Sequence, residues 1–219
     1  MQCIVTAGPT YEPLDKVRRL TNFSTGKLGT LLAKQLANRG HHVRLLVGSS
    51  ATFHAEPETE TREMFTTTED LRARLQPRTG EKIDAIYHAA AVSDFRFGRV
   101  FDQQPDGTLR EVKSGKISTR QGRLLAELQP TPKIISELRG WYATAFLVGW
   151  KYEVEGDRAS AVANAQEQIR ASGINTSVAN GPAYGFGFGV VKDGGANEHF
   201  SDLNQLFERL EMMALAAIT

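Results

Sequence analysis

The segment Asn22-Phe23-Ser24-Thr25-Gly26-Lys27-Leu28-Gly29 carries the sharpest chemical signal in the chain. It opens directly onto Leu28, Leu31, Leu32 and Leu36, whose spacing places them on one face of a helix ending at Arg39-Gly40. A helix start offers unpaired N–H groups and the positive end of a dipole, and glycines let backbone close on an anion. Ser24, Thr25, Gly26 and Lys27 therefore read as a phosphate cradle. Lys27 in the first turn opposes the dipole of a bare helix, which favours a bound anion. The spacing matches neither standard cradle: position 21 is Thr where a P-loop needs its first glycine, and Ser24 takes the first glycine position of a dinucleotide fingerprint. The plain structural alternative is a capped helix with no ligand. Asn22, just before the helix, either caps a turn or orients an acyl or phosphoryl oxygen through its amide.

Other candidates are spread along the chain. Gly8 ends the first strand, and Ala89-Ala90-Ala91-Val92 follows a later one. Small side chains there admit a ligand close to backbone, although tight packing accounts for them equally well. Asp94 can hold a ribose hydroxyl, a base amino group or a hydrated magnesium ion, or simply cap a turn. Lys113 and Lys116 lie in an irregular stretch, where they are solvated charges unless the segment folds over a nucleotide and neutralises phosphoryl charge. Trp150 and Glu153 stand at another strand end, with a salt bridge as the plain reading of Glu153.

These residues need a scaffold, and composition bounds it. The 219 residues, 41% of them hydrophobic, suit one well-buried domain. A formal net charge of +1 argues against a nucleic-acid partner, so an anionic ligand has to be held locally. The single cysteine, Cys3, falls in the first apolar run and reads as a buried, inert thiol. The five histidines are poorly spaced for a metal cluster. No apolar stretch has transmembrane length and no secretory leader is evident, so a cytoplasmic protein is expected.

Strand and helix patterns alternate. Ile4-Val5, Val43 to Val47, Met64-Phe65, Ile83 to Tyr87, Ala145 to Val148 and Asn175 to Val178 read as buried strands. Helices are expected over Thr68 to Leu75, behind Pro132 at a first turn, and from a cap at Asp157 to a stop at Gly173. Val190-Val191 and His199-Phe200 suggest an edge hairpin, and a last amphipathic helix carries Leu203, Leu206, Phe207, Leu210, Met213 and Ala214. Thr10 to Phe23 reads as a long ordered loop. Between residues 95 and 128 glycines and Pro105 break the pattern into short hairpin strands, a projecting flap or dimer-forming excursion. The expected fold is α/β and Rossmann-like: a mostly parallel sheet with helices on both faces, ligands binding beyond the C-terminal strand ends.

Taken in order, the motifs resemble the phosphopantothenate-cysteine ligase family along essentially the whole chain. Thr6-Ala7-Gly8-Pro9-Thr10-Tyr11-Glu12-Pro13-Leu14-Asp15-Lys16-Val17-Arg18 resembles its opening strand and loop. Asn22 to Gly29 resembles its Asn-x-Ser-Ser/Thr-Gly-Lys-Met-Gly signature, the most specific match. Ala89 to Phe95, Lys116-Ile117, Leu128 to Ile135, Val148 to Glu153 and Ala179-Asn180 resemble later family segments. The chain departs from the family at Ser118 and Thr119, where lysines are common, at Asn175, where aspartate is common, and in the run Tyr184-Gly185-Phe186-Gly187-Phe188-Gly189.

The resemblance implies a dimerising Rossmann-type ligase. It would activate the 4'-phosphopantothenate carboxylate with CTP and Mg2+, then couple cysteine to the acyl-cytidylate; animal relatives use ATP. It implies Asn22 at the intermediate and Lys116 as the catalytic strip lysine, with Lys113 as a second strip charge. Ala90 and Ala91 would face the base, and Asp94 would hold the nucleotide. A separate decarboxylase is the expected pathway partner, because no flavin-binding region is evident. Two other readings stay open. A nicotinamide oxidoreductase calls for an intact glycine fingerprint and an acidic end to strand two, which instead ends at Gly48-Ser49. A noncatalytic nucleotide-binding protein would keep the cradle without the chemistry at Asn22 and Lys116.

Overall fold

A computed structural model describes residues 1–54, 61–112, 117, 123–195 and 197–218. In chain order the elements are β1 (Gln2–Ala7), β2 (Tyr11–Pro13), β3 (Arg19–Thr21), α1 (Lys27–Asn38), β4 (His42–Gly48), β5 (Thr61–Phe65), α2 (Thr68–Leu75), β6 (Ala85–His88), β7 (Phe95–Gln103), β8 (Leu109–Glu111), β9 (Arg123–Pro130), α3 (Ile134–Trp141), β10 (Phe146–Tyr152), α4 (Arg158–Ser172), β11 (Thr176–Asn180), β12 (Phe188–Lys192), β13 (Glu198–Phe200) and α5 (Leu203–Ile218).

The near-continuous apolar runs at β1, β4, β6 and β10 are what a sheet covered on both faces demands, and they form its centre. The eight-stranded order is β13-β12-β11-β10-β6-β1-β4-β5. Every pairing from β5 through β11 is parallel, and the β12 and β13 hairpin extends one edge antiparallel. Alternate side chains feed two cores. On one face Ile4, Leu46, Ile86 and Leu147 pack with Leu71 of α2, Leu138 of α3 and Ala165 of α4. On the other, Val5, Tyr87 and Val148 pack with Leu32 and Leu36 of α1 and Leu206 and Leu210 of α5. Cys3 is 1% exposed, and burial pushes its thiol up to about 12, so it is the inert core residue expected.

Some boundaries differ from the sequence reading. The stretch expected to be a loop holds a small hairpin, with Tyr11 paired to Thr21 and Pro13 to Arg19. Its seam is Glu12, buried because its carboxylate accepts the Thr68 N–H at 2.9 Å at the start of α2. Helix α3 begins at Ile134, so Pro132 precedes the first turn. Strand β10 runs on to Tyr152, placing Trp150 inside the strand. The excursion is a separate three-stranded antiparallel sheet, β8-β7-β9, with an irregularity between Phe97 and Val100. Its strand β7 packs against β2.

A second contact ties the excursion to the hairpin loop. The Asp15 carboxylate, 1% exposed, accepts from the Val17, Arg18 and Ile117 N–H groups at 2.9, 2.7 and 3.1 Å and from the Arg18 guanidinium. Arg18 also donates to the Ile117 carbonyl at 2.7 Å, so one ion pair grips both backbone groups of Ile117. The guanidinium, helped by these N–H donors, holds the Asp15 carboxyl well below the usual carboxylate range.

Candidate functional site

Strand order reverses between β1 and β6, the switch point beyond whose C-terminal strand ends an open α/β sheet forms a crevice. A cleft of about 950 Å³ occupies it. Its floor is a short ladder between two loops. Ala91 N–H donates to the Gly8 carbonyl at 3.0 Å, and Thr10 N–H to the Ala91 carbonyl at 3.1 Å. Buried Thr6 accepts the Ala90 N–H at 3.0 Å and meets His88 Nδ1 at 2.9 Å, while Thr10 Oγ1 accepts the Ser93 N–H at 2.8 Å. The small residues of the Ala89 to Ala91 run are thus held flat against the end of the sheet.

Helix α1 starts over this floor. Gly26 occupies its N-cap position with φ +82° and leaves the helix without a side-chain cap. A Cβ on Gly26 would lie 3.0 Å from Ala51 Cβ and 3.3 Å from Gly8 Cα. Gly8, at φ +78°, would itself meet Ala51 Cβ at 2.8 Å, so the two glycines interlock. Gly8 is therefore the support beneath the turn and lies outside the cleft lining. Gly29 is needed for close helix–strand packing, since its Cβ would stand 2.7 Å from that of Ala7.

The other end of the cleft is the start of α3. Here Lys133 holds the N-cap position, again without a side-chain cap, and its ammonium donates to Asp94 Oδ1 at 2.5 Å. Thr131 Oγ1 donates to the Ser93 carbonyl and Thr131 N–H to that of Asp94, fixing this corner. The remaining helices are different. Thr67 caps α2, Asp157 and Ser160 form a capping box on α4, and Asp202 accepts two N–H groups at the start of α5. The two helices lacking such caps, α1 and α3, both bring their first turns to the cleft, as α5 does through Leu203, and each uncapped start carries a lysine.

Most of the residues singled out from sequence line this one cleft: Asn22, Ser24, Thr25, Gly26, Lys27, Ala90, Ala91, Asp94 and Trp150. Asn22 spans it, its amide donating to the Ala91 carbonyl at 3.2 Å. Gly8 lies below, and Lys113 and Lys116 lie outside the described residues. Glu153 does not line the cleft; it pairs with Lys151 at 3.2 Å and accepts from Asn164 at 3.1 Å.

Two lining residues, His88 and Lys133, carry no role legible in one dimension, and Trp150 and Asn180, both named from sequence, add polar atoms whose state only the fold reveals. His88 is fully buried, and desolvation lowers its pKa to about 4, so its imidazole is neutral near pH 7. Lys133 gives no signal in one dimension, since its partner Asp94 is 39 residues away. Asn180 Oδ1 and the indole nitrogen of Trp150 are buried with no hydrogen-bond partner among the described residues. Their register places both side chains on the same face of the sheet, beside Phe188, which also lines the cleft. An unpaired donor and acceptor in a binding cleft are groups that a polar ligand satisfies.

Residues 1–196 match the family of the DNA/pantothenate metabolism flavoprotein C-terminal domain. The coenzyme A biosynthesis bifunctional protein CoaBC of Thermococcus kodakarensis is 35% identical over 178 residues, covering 81% of this chain and 40% of that relative. The chain thus spans less than half of that protein's length. The crystal structure of the DNA/pantothenate metabolism flavoprotein from Streptococcus pneumoniae superposes with a TM-score of 0.85 at 25% identity, covering 99% of both chains. A Cab2 variant in complex with phosphopantothenate-cysteine shares the fold, with a TM-score of 0.71 at 17% identity over 99% of this chain and 87% of that one. Among the described residues no helix is long and apolar enough to cross a membrane.

Proposed function

We infer that this chain, which belongs to the DNA/pantothenate metabolism flavoprotein C-terminal domain family, is a ligase that joins 4'-phosphopantothenate to cysteine through a nucleotidyl-activated carboxylate. The observation that carries the reading is the pair of uncapped, lysine-bearing helix starts, α1 and α3, facing each other across one cleft. Both substrates of the activation step are polyanions, and this is how a neutral protein holds phosphates locally. The relatives named for coenzyme A biosynthesis and the Cab2 complex with phosphopantothenate-cysteine support the substrate assignment.

A carboxylate is a poor acyl donor, so it needs a leaving group. Its oxygen attacks the α-phosphorus of the nucleotide, the α–β phosphoanhydride bond breaks, and pyrophosphate leaves. The cysteine amine then attacks the acyl carbon, the acyl–phosphate bond breaks, the nucleoside monophosphate departs, and the amine loses a proton as the amide forms. Ser24, Thr25, Gly26 and Lys27 hold phosphate at the α1 start. Asn22 Nδ2, anchored on the Ala91 carbonyl, keeps the amide beside the small-residue floor, where it orients the activated acyl group. Ala90 and Ala91 admit the base against backbone, with Trp150 Nε1 and Asn180 Oδ1 as further polar contacts. Lys116 neutralises charge during nucleotidyl transfer, with Lys113 as a second charge. CTP is the favoured nucleotide and ATP the alternative.

Among the described residues no three His, Cys, Asp or Glu side chains gather to hold a metal unaided. Asp94 is a lone carboxylate at the cleft, which suits magnesium bound mainly by phosphate oxygens and water. When bound, the ion would neutralise the departing pyrophosphate. The family resemblance also favours a homodimer, which would cover exposed Phe95 and Leu128 on the three-stranded sheet, 45% and 52% accessible.

The test is an assay of the purified protein with 4'-phosphopantothenate, cysteine, Mg2+ and either CTP or ATP. Pyrophosphate release is expected to require the pantothenate substrate, and the amide product to require cysteine. Absence of substrate-dependent pyrophosphate with both nucleotides refutes the ligase.

A further inference from the structure

The glycine-aromatic run from Tyr184 to Gly189, where the chain departs from the family pattern, lies between two residues of the cleft wall: Asn180 at the end of β11 and Phe188 at the start of β12. Tyr184 is 5% exposed and its ring covers Gly189, where a Cβ would stand 2.6 Å from it. His199 of β13 stacks on that ring with centroids 5.9 Å apart, and the Tyr184 hydroxyl meets its Nδ1 at 3.1 Å. Gly187, at φ +85°, leaves room for the imidazole, since a Cβ there would fall 2.6 Å from the His199 Cε1.

Arg158, the first residue of α4, closes over this stack. Its guanidinium carbon sits 4.4 Å from the Tyr184 ring centroid, and its Nε donates to the Tyr184 carbonyl at 3.2 Å. Its Nη2 lies 3.5 Å from the Phe186 carbonyl and 3.2 Å from His199 Nδ1. A guanidinium only donates, so Nδ1 is the unprotonated nitrogen of His199 and the Tyr184 hydroxyl donates to it as well. A cation in the first turn opposes the dipole of α4, a helix already capped by Asp157 and Ser160, so Arg158 serves the loop and not its own helix. The loop is also tied to the exit of β10: Ala183 N–H donates to the Glu153 carbonyl at 3.0 Å and Glu153 N–H to the Asn180 carbonyl at 2.8 Å. Arg158, Tyr184 and His199 all lie outside the cleft lining.

We propose that Arg158 is a positioning residue: by clasping the Tyr184–His199 stack it sets the 181–187 loop, and through the loop the place of Asn180 and Phe188 beside Trp150 in the cleft wall. A planar guanidinium holds a ring face, a carbonyl and an imidazole at once, which a lysine ammonium does not. The geometric claim stands on the fold alone, and its effect on nucleotide affinity rests on the ligase reading.

The experiment uses the full chain in a Trp141→Phe background, which leaves Trp150 as the single indole. Into this parent go Arg158→Gln, Arg158→Lys, Tyr184→Phe and, as a control, Arg170→Gln, which removes another cation of α4 that pairs with Glu167. Emission, acrylamide quenching and titration with CTP and Mg2+ are read well below each melting temperature. Arg158→Gln is expected to move Trp150 emission to longer wavelength, raise its quenching and weaken CTP about fivefold or more, because a loosened wall admits water to the indole and misplaces its neighbours. Arg158→Lys behaves like Arg158→Gln, and Arg170→Gln like the parent. Tyr184→Phe, which deletes one oxygen and keeps the ring, shows the same shift in smaller degree; should Arg158→Gln fail to fold, parent-like emission in Tyr184→Phe overturns the proposal. A folded Arg158→Gln protein with parent-like emission and quenching overturns it at any melting temperature, since the clasp then only stabilises. So does an Arg158→Lys protein that keeps parent emission, which reduces Arg158 to a charge, or an equal shift in Arg170→Gln, which marks loosening of the whole helix. Shifted emission with unchanged CTP affinity overturns the positioning role. A parent that binds neither CTP nor ATP removes the ligase reading, while the emission comparison still decides the clasp.

Discussion

Replacing Gly26 by alanine tests whether the turn that starts α1 is held by packing beneath it and whether it holds phosphate. Two costs are predictable from the geometry. Gly26 has φ +82°, a left-handed conformation that costs an L-residue about 1–2 kcal/mol. The new methyl also stands 3.0 Å from Ala51 Cβ and 3.3 Å from the Gly8 backbone, a crowding of the kind that costs about 1–3 kcal/mol when neighbours cannot yield. Gly40 separates the two effects. It has φ +83° at the end of α1 and nothing within 4 Å of where an added methyl would sit, so Gly40→Ala carries the conformational cost alone. Urea unfolding of the two variants is expected to place Gly26→Ala about 1–3 kcal/mol below Gly40→Ala. Gly26→Ala should also weaken CTP binding at least about tenfold, because a shift of the first turn misaligns every N–H aimed at the phosphates. Equal stability of the two variants would show that the Gly8–Ala51 contact yields freely. Unchanged nucleotide affinity in a folded Gly26→Ala protein would refute the phosphate cradle.

Three further outcomes follow from the site and its supports. Asn22→Ala should slow conversion of the activated intermediate while leaving its formation largely intact; quenched-flow traces with an unchanged intermediate lifetime reject that role. Asp15→Asn should lower the melting temperature at pH 7, because the folded state depresses the Asp15 pKa and so gains stability from it above the ordinary carboxylate range. That contribution begins to fade only as pH falls below about 4 and is lost as pH falls through the depressed folded value, so the gap between wild type and variant should be full above about pH 5 and narrow progressively below about pH 4, and a gap that does not narrow counts against the ion pair. His88, with its pKa lowered from 6.5 to about 4, stabilises the fold fully above pH 6.5 and loses that contribution as pH falls toward 4. The loss amounts to about 3 kcal/mol at the acid end, at 1.36 kcal/mol per pKa unit. His88→Asn should flatten the wild-type stability profile between pH 6.5 and 4.5, and parallel profiles would place the acid sensitivity elsewhere.

Much of the scaffold was legible because it rests on local rules. Short apolar runs located the central strands, the Asp157 cap and Gly173 stop bounded α4, and the Ser24-Thr25-Gly26 run marked the start of α1. The hairpin of β2 and β3 escaped, because each strand is three residues long and β3 is exposed along its length. Its pairing depends instead on Glu12 finding the first turn of α2, a contact spanning 56 residues.

The site divides along the same line. Residue type and spacing alone marked the Ser24 to Lys27 segment, the small-residue run and Asp94 as candidates, since each would act through its own backbone or charge. Only the folded chain decided that Gly8 is a support beneath Gly26, that Trp150 and Asn180 leave polar atoms unpaired on one face among the described residues, and that Lys133 meets Asp94 at one end of the cleft. Those are relations between segments joined by strand order. A sequence records which groups can bind phosphate, whereas the reversal of strand order between β1 and β6 determines which of them share one crevice.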